Sequence, residues 1–245
     1  MTTPRRCTGT AAAVLAAVLL LAGLVAPPAG AAGKTTRFTI GTHNTHYGKS
    51  RYSAFADVIG WQEIDTAAAR TRMRKALTGY RHYIPKGAAG ADTISWRASK
   101  FTLVHGRAVL THKGQKHVTP NRYVTYVTLK VKATGTTIAF VNTHFISAAF
   151  SGHPERQARW RKHRKILQDV VAKLRAAKYP VFVVGDFNHQ PATKLPGLSR
   201  YAVSTGDASP IDHLYATKAN KIGKATRLAK NGSDHPAYRA TARVG

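Results

Sequence analysis

The chain holds only ten acidic residues against 38 lysines and arginines, so each carboxylate it keeps poses a chemical question. Four of them end or follow apolar runs. Glu63 closes DVIGWQE, Asp186 follows PVFVVG, Asp212 opens IDHLYA after a proline, and Asp234 sits in the turn before PAYRATARV. A carboxylate just past a buried strand lies near a core and needs a partner, because burying an unpaired charge is costly. A hard cation such as Mg²⁺ is one such partner, taking one or two carboxylates with water and substrate phosphate completing its oxygen ligands. Asn44, His144, Asn188 and His235 stand at similar strand ends. Phosphodiester hydrolysis needs a water made nucleophilic and a developing oxyanion stabilised, which a metal, an oriented imidazole and amide donors provide together. Taken singly, each residue has a plain explanation, the asparagines in turns and the histidines as satisfied polar groups. Their recurrence at strand ends is what points to chemistry.

The elements that must position these groups are strand-like runs rich in β-branched and aromatic residues and bounded by turn formers. They are RFTIGTH, DVIGWQ, DTISWR, FTLVHGRAVL, RYVTYVTLKV, TTIAFVNTHF, PVFVVGDF, IDHLYA and PAYRATARV. Two stretches read as helices, Asp65 to Leu77 and Pro154 to Lys178. In the second, Trp160, Leu167, Val171 and Leu174 recur at helical spacing, and Pro154 suits a first turn. RYVTYVTLKV and TTIAFVNTHF, joined by KATGTT, predict an antiparallel hairpin, and a strand, helix, strand order follows into PVFVVGDFN. Mixed strands with interspersed helices predict a layered α/β protein. No repeat, low-complexity tract or linker interrupts residues 34–245, so one domain is expected there.

Residues 1–31 read as a secretory signal peptide: two arginines, an apolar run from Ala11 to Ala26, and small residues up to a cut after Ala31. That run is short of the roughly 20 residues a membrane span requires, so the expectation is a secreted, extracellular protein without stable membrane insertion. Cys7, the single cysteine, precedes the run and leaves with it. The remaining chain is long enough to bury a core without disulfides. A formal net charge of +28 draws polyanions such as DNA, RNA, teichoic acids or anionic lipid head groups. The competing reading is that the charge only keeps the protein soluble.

Seven stretches, in order FTIGTHN, DVIGWQE, ISWRASKF, IAFVNTHF, VVGDFN, PIDHLYA and SDHPAYRA, span Phe38 to Val244. Together they resemble the endonuclease/exonuclease/phosphatase superfamily, which includes DNase I-like nucleases, apurinic-site endonucleases, sphingomyelinases and inositol polyphosphate phosphatases. The resemblance implies a DNase I-like α/β (α+β) fold, a four-layer α/β/β/α sandwich of two packed mixed β-sheets flanked by helices. It also implies roles. Asn44, Glu63 and Asp234 would serve a divalent metal, Mg²⁺ foremost and Mn²⁺ or Ca²⁺ as substitutes. His144 would contact the scissile phosphate or protonate its leaving oxygen, and Asp186 and Asn188 would position the attacking water and grip the phosphate. Asp212 would orient His235, leaving the base open between Asp186 and His235. Arg156 would contact phosphate or brace its helix start. His46 replaces a carboxylate that relatives often carry two residues after the first asparagine, which argues against a second metal subsite. Tyr80 matches a tyrosine that packs in the core, and Asp57 reads as a turn or helix-end residue.

Substrate is less constrained, because a shared hydrolytic core admits what its loops allow. The leading expectation is a monomeric nuclease acting on DNA or RNA, from the charge and from three basic clusters: RTRMRK, HKGQKH and ERQARWRKHRK. HKGQKH lies in a loop and is the better contact candidate, with Tyr47, Tyr52 and Tyr123 near basic residues for base stacking. The alternatives are a sphingomyelinase or other phospholipid phosphodiesterase, for which FISAAF is the one apolar loop, and an inositol-phosphate phosphatase. A non-catalytic polyanion-binding module is the reading from another class, and retention of Glu63, Asp186, Asn188, Asp212 and His235 opposes it.

Overall fold

Two runs without a polar interruption, VIGWQ and VFVVGD, form strands buried along their whole length, and the rest of the fold is layered on them. A strand covered on both faces reads as a continuous apolar run. The computed structural model describes residues 34–203 and 210–245; the signal-peptide reading of residues 1–31 lies outside them.

In chain order the strands are β1 (Thr36–Asn44), β2 (Val58–Gln62), β3 (Tyr80–Tyr83), β4 (Ile94–Arg97), β5 (Phe101–His112), β6 (Arg122–Val131), β7 (Thr137–His144), β8 (Val181–Asp186), β9 (Leu198–Arg200), β10 (Asp212–Thr217), β11 (Lys221–Arg227) and β12 (Tyr238–Val244). They form two six-stranded sheets, ordered β11-β12-β1-β2-β4-β3 and β5-β6-β7-β8-β10-β9. Both are mixed: β1 pairs parallel to β2 and β7 parallel to β8, with antiparallel neighbours on either side. The expected hairpin is β6–β7, and the expected strand, helix, strand crossover is β7–α2–β8, where α2 is Gln157–Ala176.

Phe38, Ile40, Val127, Phe140, Phe182 and Leu214 fill the space between the sheets. Burying side chains of this size is worth about 1.5–3 kcal/mol each, and this shared core holds the sheets face to face. On the outer face of the first sheet, α1 (Ala67–Ala76) lays Ala69 and Met73 against Ile59 and Trp61. On the outer face of the second, Trp160, Leu167, Val171 and Leu174 of α2 cover Val141 and Val183. Four layers result, α/β/β/α, the architecture the resemblance implied.

A polar seam crosses the two sheets. Asn142 of β7, fully buried, donates from Nδ2 to the Trp61 carbonyl (2.8 Å) and the Thr93 carbonyl (3.2 Å), and its Oδ1 accepts from Gln62 Nε2 (2.6 Å). Buried amides satisfied in this way fix one registration of their neighbours, since any slip would strand them unpaired. Gly60 lets the seam close: a Cβ there would come within 2.5 Å of Val184 Cγ2 and 2.6 Å of Asn142 Oδ1.

The helices are shorter than the sequence suggests. Thr66 caps α1, its hydroxyl accepting from Ala69 N–H at 3.1 Å, so the helix starts after Asp65. Pro154–Arg156 is a 3₁₀ turn leading into α2. Tyr80 is buried, with its hydroxyl on the Ala56 carbonyl at 2.7 Å. Asp57 precedes β2 as a turn residue and anchors Arg97 (3.1 Å), Lys100 (2.9 Å) and Thr39 N–H (2.9 Å).

Candidate active site

The register of the strands brings the polar ends together. His144 lies abreast of Asp186 across the parallel β7–β8 pair, and Asp186 lies abreast of Asp212 across the antiparallel β8–β10 pair. In the other sheet, Asn44 lies abreast of Gln62, one residue before Glu63. Face-to-face packing then closes these two rows on each other. A cleft of about 340 Å³ opens between them, lined by Asn44, Glu63, His144, Asp186, Asn188 and His235 among others.

Asn44 sits at the centre. Its Nδ2 lies 3.1 Å from Glu63 Oε1 and 3.1 Å from Asp186 Oδ2, a donor shared by two carboxylates of opposite sheets. His144 Nε2 faces the same two oxygens, at 3.8 and 3.5 Å. Glu63 adopts a left-handed backbone (φ 62°), and the Tyr47 N–H donates to its Oε2 at 2.8 Å. Burial pushes the Asp186 carboxyl up, helped by the nearby Asp212 carboxylate and opposed by His235, Asn44 and the Asn188 N–H. Asn188, also left-handed (φ 49°), donates its N–H to Asp186 Oδ1 at 2.8 Å and its Nδ2 to the Phe145 carbonyl at 3.2 Å.

The two histidines are in opposite states. Burial holds His144 well below the usual imidazole range, and Arg122 and His235 add to the effect. Arg122 Nη1 lies 3.2 Å from His144 Nδ1. A guanidinium only donates, so Nδ1 accepts and the proton sits on Nε2, facing the carboxylates. His235 Nδ1 pairs with Asp212 Oδ2 at 2.7 Å. Burial works against its charge, but the bond and charge of Asp212, with Asp186 and Asp234, prevail and raise it to about 9. Its Nε2 lies 3.9 Å from Asp186 Oδ2.

The remaining expected residues are peripheral. Asp234 is largely exposed at the rim, 3.7 Å from His46 Nδ1. Asp212 stands behind His235 rather than on the cleft wall. Arg156 does not line the cleft; its buried guanidinium donates to the Ser147 carbonyl at 3.2 Å and lies 3.7 Å from Glu155, the bracing position of the two expected for it. It braces the loop after β7, because the 3₁₀ turn points it back at that loop's backbone. The guanidinium in the cleft is Arg122, at the start of β6. Its type carried no signal in so basic a sequence. Asp92 follows no apolar run and carries no such signal either. It is fully buried, its Oδ1 has no hydrogen-bond partner, and burial raises its carboxyl to about 8 against the pull of Arg122. Behind the cleft, His163 of α2 joins Thr143 (2.7 Å) to Thr111 (3.1 Å), and Thr111 donates to the Arg122 carbonyl at 2.8 Å.

Oxygen donors dominate the front of the cleft. Two carboxylates share Asn44 and His144 there, and a hard divalent cation would relieve their repulsion, so Glu63 and Asp186 fit such an ion. Donor atoms of Asp186, Asp212 and His235 also lie within 4.8 Å of one another. In that group Asp212 already engages His235 Nδ1 and favours the charged imidazole, so a cation bound there would have to displace a proton. The cluster therefore reads better as a carboxylate–imidazole pair beside the metal-binding oxygens.

Two mixed sheets meeting at a cleft of carboxylates, amides and imidazoles define a layered α/β phosphoesterase. The family described as Endonuclease/Exonuclease/phosphatase matches residues 30–235. The chain belongs to that family and is a hydrolase of phosphoester bonds. No curated protein matches it. Among solved structures, an endonuclease/exonuclease/phosphatase family protein of Bacteroides thetaiotaomicron is 18% identical, covering 86% of this chain and 99% of its own, with a TM-score of 0.70. A mannosyl-6-phosphatase of the same species is 19% identical, covering 85% and 100%, with a TM-score of 0.67. Truncated TDP2 of Caenorhabditis elegans is 16% identical, covering 85% and 98%, with a TM-score of 0.66. At such identities the likeness is one of fold.

Proposed function

We propose that the protein is a secreted, monomeric, divalent-metal-dependent phosphodiesterase whose substrate is DNA or RNA. The observation that carries the substrate class is the basic surface contiguous with the cleft. Arg122 stands inside, Lys116 and His117 lie on the neighbouring loop, and Arg159 of α2 bonds that loop through Thr119 Oγ1 at 3.1 Å. The same helix also exposes Arg161, Lys162, Arg164 and Lys165. Cations gathered beside a hydrolytic centre suit a long polyanion better than a sugar monophosphate.

Glu63, with Asn44 beside it and Asp186 opposite, would hold Mg²⁺, or Mn²⁺ or Ca²⁺ in its place, and Asp234 would act from the rim. When bound, the ion supplies Lewis-acid stabilisation of charge on the phosphate oxygens. Asp186 accepts the proton of the attacking water, positioned by Asn188. His235, which Asp212 favours in its charged form in the metal-free protein, is set to donate rather than accept. It offers Nε2–H to a non-bridging phosphate oxygen instead. His144 offers its own Nε2–H to the phosphate, and Arg122 both fixes that tautomer and adds a fixed positive charge.

The test is a panel of plasmid DNA, RNA, sphingomyelin, inositol phosphates and sugar phosphates with Mg²⁺, Mn²⁺ or Ca²⁺. DNA or RNA cleavage abolished by chelation is expected. Turnover of lipid or sugar phosphate alone refutes the substrate assignment, and His235→Ala with undiminished cleavage refutes the role of that histidine. Among the described residues no helix is long and apolar enough to cross a membrane.

A further inference from the structure

The cleft does not end at the phosphate site. Past Val118, Thr119 and Pro120 it opens into a second, shallower trough of about 630 Å³, and Tyr47 stands on the wall common to both. We propose that this trough is the subsite for the nucleotide adjoining the scissile phosphate, its base stacked on Tyr47 and its outer phosphate met by Lys116 and His117. The assignment rests on the nuclease reading above.

Tyr47 is placed as a platform. It is 65% exposed, a large ring left in solvent. His46 (φ 48°), Tyr47 (φ 53°) and Gly48 (φ 72°) form three consecutive left-handed residues. For side chains this conformation is unfavourable and persists only where the surroundings enforce it. The enforcing contact is visible: the Tyr47 N–H is bonded to Glu63, so the backbone that braces the proposed metal ligand also turns the ring outward. The position of the ring is thereby tied to the reacting centre.

The loop across from it is equally constrained. Gln115 and Thr119 exchange backbone hydrogen bonds at 2.9 Å, Gly114 N–H bonds Asn121 Oδ1 at 2.8 Å, and Arg159 pins Thr119. His117 takes the left-handed conformation (φ 60°) at the tip, and Val118 is left 55% exposed beside it. A loop fixed at its stem yet exposing an apolar side chain and two basic ones is organised before anything binds, which lowers the entropic cost of binding.

Chemistry selects the occupant. No residue lining the trough is acidic, which suits a second phosphate. A phosphomonoester would fill the first cleft alone and leave the trough unused, whereas a diester has a second arm to place. An exposed aromatic ring beside cations accepts any base, because every base offers a π-face. The subsite therefore confers a preference for polynucleotide over small diesters without reading sequence.

The test uses short DNA or RNA oligonucleotides with one cleavable phosphodiester among phosphorothioate linkages, made with a base or an abasic residue on either side of it. Removing the base on one side should lower kcat/KM about fivefold or more for the wild-type protein, the lower end of what stacking contributes. Tyr47→Ala should abolish that difference, and Tyr47→Trp should keep it. If abasic substitution on neither side matters, or if Tyr47→Ala slows both substrates equally, the subsite is refuted. If no oligonucleotide is cleaved while a lipid or sugar phosphate is, the nuclease reading falls by itself, and the trough is then read by fluorescence of the Tyr47→Trp variant in chelator. Quenching by an oligonucleotide supports base stacking. Unchanged emission, or a blue shift on sphingomyelin vesicles alone, overturns it.

Discussion

The Asp212–His235 pair should make the stability of the metal-free protein depend on pH, chiefly through one imidazole. His235 is raised from 6.5 to about 9, with Asp212 the main favourable cause, through a 2.7 Å bond on a mostly buried ring. A group whose folded-state pKa is raised contributes stability that is complete below its unfolded value and is lost as pH rises through the folded value. At roughly 1.4 kcal/mol per pKa unit, the loss between pH 6.5 and 9 is about 3 kcal/mol. Asp212→Asn removes the partner's charge and leaves burial acting against the imidazolium, so the variant should lose most of that dependence. Urea unfolding of both proteins in chelator from pH 6 to 9.5 measures it. The wild type should be more stable at the acid end, and the two curves should converge toward pH 9. Asp92, also raised by burial, contributes a slope of its own to both proteins and cancels in the difference, whereas Asp186, raised by burial and by Asp212, adds to the wild-type slope with the same sign. Parallel curves would refute the reasoning, and so would an NMR titration of the His235 ring with a midpoint near 6.5 in the wild type.

Three other outcomes are expected. Asp57→Asn should cost about 1–3 kcal/mol in urea unfolding at neutral pH by uncoupling Arg97 and Lys100 from β2. Burial would raise the Asp57 carboxyl, but Lys100, Thr39 and Arg97 together hold it below 3.8, so this contribution should fade only as pH falls below about 4, and activity at neutral pH should be kept. Gly185→Ala should abolish activity or folding: Gly185 has φ 148°, and a Cβ there would lie 2.0 Å from the Thr143 carbonyl oxygen, displacing Asp186 next to it. A soluble variant with near-normal turnover would contradict that. Oligonucleotide affinity measured with a non-hydrolysable analogue should drop by about 10³-fold or more between 50 and 200 mM salt if several phosphates are held; a flat salt profile would count against backbone contact.

Much of this was legible because buried strands end where their apolar runs end. DVIGWQE, VNTHF and VVGDFN each mark the point at which a strand leaves the core, and the polar residue there is the one that reaches the cleft. What stayed hidden has physical reasons too. Strands β3 (YRHY), β9 (LSR) and β11 (KIGKATR) contain few apolar residues, because they border their sheets and need bury little. Arg122 looks like any other cation until the β6 register carries it to His144. Arg156 follows a proline at a helix start, a reasonable place for an anion contact, and only the path of the loop after β7 shows its guanidinium facing a carbonyl. His163 interrupts an otherwise apolar stripe on α2, and its two threonine partners come from two different strands, β5 and β7.

The seam of Asn142 and Gln62 has a further consequence. Half of the reacting groups hang from one sheet and half from the other, so their spacing is a measure of how the two slabs are aligned. A lesion in the interior that lets the slabs glide by a fraction of an ångström would be felt at Glu63 and His144 long before it was felt in the melting temperature. Sluggish catalysis in a well-folded variant would then be the first sign of damage far from any substrate.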